Sequence, residues 1–80
     1  MVRKVSYVYN IQNRGSRLIE DYEEEGDRGL TYRILVNLER EGWMTQRDLM
    51  SRIRPRPNLE DLREELETLV DMGAIDRERS

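Results

Sequence analysis

Six arginines and a run of carboxylates carry what chemistry this chain can offer. Arg47, Arg52, Arg54 and Arg56 lie close together in the chain, and Arg77 and Arg79 follow near its end. A guanidinium presents planar, paired donors that match a phosphate or a carboxylate, so the cluster fits recognition of an anionic backbone. Between Met44 and Asn58 these four arginines face Asp48 alone, a formal +3. Between Leu59 and Gly73 the balance reverses: Arg63 stands against Glu60, Asp61, Glu64, Glu65, Glu67 and Asp71, a formal −5.

Catalysis finds little material here. The chain has no His and no Cys, which removes the commonest general base, the usual nucleophilic triads and most transition-metal ligands. Carboxylates are plentiful, but acid–base work needs two of them in unlike environments inside a cleft, and these fall on expected outer faces. Asp21, Glu23, Glu25 and Gly26 match the first half of a calcium-binding loop. The match then fails, because Tyr32 stands where the bidentate glutamate belongs and Arg28 where an apolar residue does. The five glycines never take the spacing of a phosphate-binding loop with a lysine. No catalytic residue, metal site or cofactor is expected.

Size points the same way. Eighty residues make one domain, and a chain this short buries only about 60% of its unfolded surface, which leaves little core in which to carve a cavity. Charged residues make up 39% and apolar ones 36%, a polar balance for a folded protein, yet the apolar residues are grouped periodically. Lys4 is the one lysine among fourteen basic residues; that bias fits either planar anion recognition or the base composition of the gene. Without cysteine there is no disulfide framework of a secreted domain. No apolar run approaches membrane-spanning length and the N-terminus has no signal-peptide core, so a soluble, cytoplasmic protein with no membrane contact is expected.

The elements that must position the arginines can be read from periodicity. From Val2 to Ile11, Val5, Tyr7, Tyr9 and Ile11 alternate with Ser6, Val8 and Asn10, which predicts a strand. Asn13 and Gly15 are expected to turn the chain into a short helix over 16–25, with Leu18, Ile19 and Tyr22 on one face. Leu30, Ile34, Leu35 and Leu38 recur at helical spacing to about Glu41, with Gly42 as a left-handed cap. Trp43-Met44 is brief and extended, and Trp43 is expected to pack as a core anchor. Thr45 and Asp48 have the spacing of a capping box for a helix that buries Leu49, Met50 and Ile53. Arg54-Pro55-Arg56-Pro57 then ends it, since each proline removes an amide donor and disfavours helix in the residue before it. Asn58 caps a third core helix whose buried stripe is Leu59, Leu62, Leu66, Leu69 and Val70, closed by Gly73, before Ala74-Ile75-Asp76-Arg77 restarts as a strand.

From "LTYRILVNLEREGWMTQRDLMSRI" and "NLEDLREELETLVDMGAIDR" the chain resembles the winged helix-turn-helix superfamily. The resemblance implies a mainly α fold with a small β-sheet, a three-helix core plus short strands over 30–80, preceded over 1–29 by an arm of one strand and one short helix. It also implies a nucleic-acid or protein-binding module. The junction Leu-Val-Asp-Met-Gly-Ala-Ile looks like the passage from recognition helix to wing, and similar modules end some phage and plasmid replication proteins. The superfamily spans transcription regulators, replication factors and pure protein-binding modules, so the fold alone does not assign the function.

Two departures sharpen the expectation. A wing needs two strands, but only 75–80 follow the third helix, so either the second wing strand is missing or the chain is cut from something longer. The N-terminal strand could fill the gap, within one subunit or, in a homodimer, between two, unless the first dozen residues are a loose tail. The acidic third helix, moreover, cannot lie among phosphates, because affinity for DNA comes largely from basic side chains that displace counterions. Double-stranded DNA would therefore be held through Arg47, Arg52, Arg54 and Arg56, with Arg77 and Arg79 on the wing strand. The plainer reading is a solvated basic surface, with Arg47 paired to Asp48 or to the acidic helix. The alternative function places a basic protein partner on Glu60, Glu64, Glu65 and Glu67, the helix mimicking nucleic-acid charge.

Overall fold

The computed structural model describes residues 6–79. Its elements run β1 (Tyr7–Ile11), α1 (Asn13–Glu25), α2 (Leu30–Glu41), β2 (Met44–Thr45), α3 (Gln46–Arg52), α4 (Leu59–Asp71) and β3 (Ile75–Arg79). Four helices thus accompany one small sheet, antiparallel throughout, with strand order β2-β1-β3. Val2 to Val5 of the expected strand lie outside the described residues.

The N-terminal strand fills the gap in the sheet, and it does so in the middle. All five residues of β1 pair with β3, from Tyr7 opposite Arg79 to Ile11 opposite Ile75. Its other edge meets β2, with Val8 opposite Thr45 and Tyr9 opposite Met44. Of the two pairings foreseen for this strand, the one within a subunit is present along the whole of β3, while the edge toward β2 is engaged at Val8 and Tyr9. Directly opposed residues share a face, so Tyr7, Tyr9, Ile11, Met44, Ile75, Arg77 and Arg79 face the helices, while Val8, Asn10, Asp76 and Glu78 face away.

One core joins everything. Tyr9 of β1 and Ile19 of α1 belong to the same buried cluster as Ile34, Leu35 and Leu38 of α2, Leu49 and Ile53 of the α3 segment, and Leu62, Leu66 and Leu69 of α4. The three helical stripes expected to be buried thus meet in one core through Leu35, Leu38, Leu49, Leu62, Leu66 and Leu69.

Gly15 departs from expectation. Instead of turning the chain, Asn13 and Gly15 form the first turn of α1, because Gly15 is buried where the helix crosses the start of β3. A Cβ at this position would lie 2.3 Å from the Ala74 carbonyl oxygen and 2.7 Å from Ile11 Cγ1. Its use is close approach rather than backbone freedom.

The helix ends follow local chemistry. At the end of α4, Gly73 (φ +75°) donates its N–H to Val70 O and Ala74 donates to Leu69 O at 2.9 Å, which is a Schellman closure. Gly42 also has positive φ, +82°, but its ψ of −131° lies outside the left-handed helical well expected for it. That conformation leads the chain straight into β2.

Trp43 and Leu59 are the two apolar expectations that fail. Trp43 is 45% exposed because its neighbour Met44, 3% exposed, takes the inward position of β2 and the strand period turns Trp43 outward. Leu59, at the first residue of α4, lies beyond the end of the buried stripe and is 40% exposed.

Candidate functional site

Burial of Leu49 and Ile53 sets the roll of α3, and the capping box sets its start. Thr45 Oγ1 accepts from the Asp48 N–H and Asp48 Oδ2 accepts from the Thr45 N–H, each at 3.1 Å. Two orphan amides at the helix start are satisfied, and the Asp48 carboxylate is thereby engaged. Arg47 and Ser51, one turn apart, fall on its exposed side, and Arg54 is exposed in the segment that follows the helix. Arg56 follows, exposed, between the two prolines.

These arginines are not equivalent. Arg52 Nη1 lies 2.9 Å from Glu41 Oε1 with both side chains substantially exposed, a surface pair that contributes about 0.2–1 kcal/mol. Arg54 Nη1 donates to the carbonyl of Ile53 at 3.0 Å, which leaves its charge uncompensated. Arg47 and Arg56 form no ion pair among the described residues, so the expected pairing of Arg47 with Asp48 or with α4 is not made. Arg47, Arg52, Arg54 and Arg56 therefore form one exposed basic stretch from the start of α3 through the turn.

The two arginines of β3 divide. Arg77 donates to Glu67 Oε1 of α4, and its guanidinium carbon sits 4.7 Å from the centroid of the Tyr7 ring. It thus ties β3 to α4 and β1, and an incoming phosphate would have to compete with Glu67. Burial raises the Tyr9 pKa above the usual phenol value, partly offset by the same guanidinium. Arg79 is exposed, opposite Tyr7 on the sheet.

The acids of α4 divide as well. Glu65 is half-buried and accepts a short hydrogen bond from the Thr31 hydroxyl of α2. Glu67 is taken by Arg77, so two of the four glutamates assigned to a protein-docking face serve the fold. Glu60 and Glu64 are exposed and unpaired among the described residues.

Beside this basic stretch lies a groove that composition does not reveal. It runs between β1, the start of α3 and the flank of α4, lined among others by Tyr7, Tyr9, Gln46, Arg47, Leu59 and Arg63. Its signal in the sequence is Leu59 and Arg63, one turn apart at the edge of the α4 apolar stripe, the second being the lone base in an acidic helix.

The acids of the partial calcium loop, Asp21, Glu23 and Glu25, sit on the continuous helix α1. Glu23 accepts from the Tyr32 hydroxyl at 3.0 Å, and the Arg28 guanidinium covers the Tyr32 ring at 4.9 Å. Tyr32 itself is buried in the core. Among the described residues no group of three or more His, Cys, Asp or Glu side chains is placed to hold a metal ion. No helix among them is long and apolar enough to cross a membrane. No family model, curated protein or solved structure matches the chain.

Proposed function

We propose that this domain is a non-catalytic winged-helix binding module in DNA transactions, either a regulator or an accessory piece of a replication protein. It holds duplex DNA by the phosphates through α3 and the turn after it, while α4 points its carboxylates elsewhere. The observation that carries this reading is the exposed stretch Arg47, Arg52, Arg54 and Arg56, in which Arg52 alone is paired to an acid. A module of this kind draws most of its affinity from counterions released by such side chains. The winged-helix reading is supported by the helix pair α3–α4 followed directly by β3, with β1 paired along the whole of β3.

Fluorescence anisotropy with a generic duplex at low and physiological salt tests it. Replacing Arg52, Arg54 and Arg56 with alanine is expected to remove up to three phosphate contacts, each contributing about 0.9 to the slope of log affinity on log salt. Unchanged binding by the triple variant, or no binding by the parent domain even at low salt, overturns the proposal. A second reading rests on Glu60 and Glu64, which are exposed and free of ion pairs among the described residues: they form a docking face for a basic protein. Glu60→Lys with Glu64→Lys would then abolish that association and leave duplex binding equal or stronger.

A further inference from the structure

Arg63 is the one base on α4, set at helical spacing from Glu60 and Glu67 and beside Glu64, yet it pairs with none of them. Its side chain instead lines the groove against β1. Across from it stands Arg47, whose neighbouring carboxylate, Asp48, is held by the Thr45 amide. The nearest acid on the groove's continuation, Glu67, is matched by Arg77. Two uncompensated guanidinium groups thus converge on one depression in a chain whose net charge is −3. Between them the surface is aromatic and apolar: Tyr7, half-buried with Arg77 stacked on its ring, Tyr9 at the base, and the exposed Leu59.

Paired cations flanking an aromatic and aliphatic floor match a backbone of phosphates that carries unstacked bases. A duplex offers no such base. An acidic peptide would meet the same arginines, but extended peptides dock on sheets by adding along a free strand edge, and β1, which borders the groove, is paired along its whole length to β3 and at Val8 and Tyr9 to β2. We propose that the groove between β1 and α4 binds single-stranded nucleic acid, Arg47 and Arg63 holding its phosphates while Tyr7 and Leu59 supply the surface for a base. The inference rests on the DNA-binding reading in one respect: Arg47 belongs to both surfaces, so an unpaired strand leaving a duplex on α3 enters the groove directly.

The test is anisotropy of a labelled oligo-thymidylate, with amide shifts of the full chain recorded alongside. Arg63→Ala is expected to weaken binding roughly tenfold at low salt and to lower the salt slope by about 0.7, the share of one contact on a single strand. Arg63→Lys should recover most of that slope. Tyr7→Phe should bind as the parent does and Tyr7→Leu more weakly, with circular dichroism confirming that both fold. Shifts are expected at Thr45, Gln46 and Arg63. Arg54→Ala with Arg56→Ala should spare oligo-thymidylate while weakening duplex binding. Retention of duplex binding alone therefore overturns this inference, and retention of Arg63-dependent oligo-thymidylate binding alone overturns the duplex reading. Equal affinity of the parent and Arg63→Ala, or groove shifts caused by poly-glutamate but not by oligo-thymidylate, would also sink it, the latter assigning the groove to an acidic protein.

Discussion

Replacing Gly15 with alanine tests the closest approach in the fold. The added methyl would sit 2.3 Å from the Ala74 carbonyl oxygen and 2.7 Å from Ile11 Cγ1. Neither neighbour can yield cheaply. The Ala74 carbonyl accepts the Gln12 N–H at 2.9 Å while the Ala74 N–H closes α4 on Leu69 O, and Ile11 is opposite Ile75 in the sheet. Overpacking of this kind costs about 1–3 kcal/mol, and a weakened Gln12 bond adds about 1 kcal/mol. Against this, alanine in place of glycine inside a helix gains about 0.5–1 kcal/mol. The net loss is about 1–3 kcal/mol, and since about 1 kcal/mol shifts Tm by roughly 4–8 °C in a domain of this size, a fall on the order of 5–20 °C is expected. Thermal melts followed by circular dichroism read it, with Arg17→Ala, exposed on the same helix, as the control that stays level or rises slightly. A Gly15→Ala protein melting at or above the parent would mean that α1 does not rest on the α4–β3 junction, and the packing described would be wrong.

Deleting residues 1–11 removes the middle strand of the sheet together with buried Tyr9, and the shortened chain should lose its cooperative melt; a sharp transition near the parent Tm would contradict the strand order. Thr45→Ala and Asn58→Ala each remove a side-chain cap, a loss of about 1 kcal/mol apiece, and the two effects should add because the caps belong to different helices. Burial holds the pKa of Tyr9 above the ordinary phenol value, and those of Tyr22 and Tyr32 are likewise raised, chiefly by burial. The folded state therefore keeps these protons longer than the unfolded chain, so this stability is complete below pH about 10 and is lost as pH climbs through the folded values. Denaturant melts should weaken above that pH, less steeply in Tyr9→Phe. If Tyr9→Phe loses stability with pH just as the parent does, Tyr9 is not part of the effect.

Periodicity made the helices legible because they are amphipathic and capped by residues with specific chemistry. Leu62, Leu66 and Leu69 at helical spacing, Asn58 before them and Gly73 after them leave α4 few alternatives. The strand from Tyr7 to Ile11 was legible as alternation, and its pairing with β3 followed from the need to cover an edge. Its central place was not, because strand order depends on which segments meet across the core and no local pattern records that. Gly15 misled for a related reason. Glycine marks a turn or a close contact with equal force, and here the contact is with Ala74, far away in sequence. Trp43 misled because size argues for burial, whereas the two-residue strand β2 has a single inward position and Met44 occupies it.

The site was harder to read than the fold, since charge counts do not say which charges are already satisfied. By count, six arginines and four glutamates looked equally available. Contacts separate them: Arg77 and Glu67 cancel each other across the sheet–helix seam, Glu65 is tied to Thr31, and Arg52 leans on Glu41. What remains is asymmetric. Of these groups and Arg63, the bases left without an ion pair among the described residues are Arg47, Arg54 and Arg56 at α3 and the following turn, Arg79 on β3 and Arg63 in the groove, while the acids left are Glu60 and Glu64 on the outer side of α4. Under the proposed reading, a polyanion would be drawn to the first surface and repelled by the second, and that repulsion would orient it. If the domain binds nucleic acid as proposed, the acidic helix has a part in it: by repelling phosphates from α4 it leaves α3 and the groove as the approach, and Arg63, which pairs with none of its acidic neighbours, marks where the two surfaces meet.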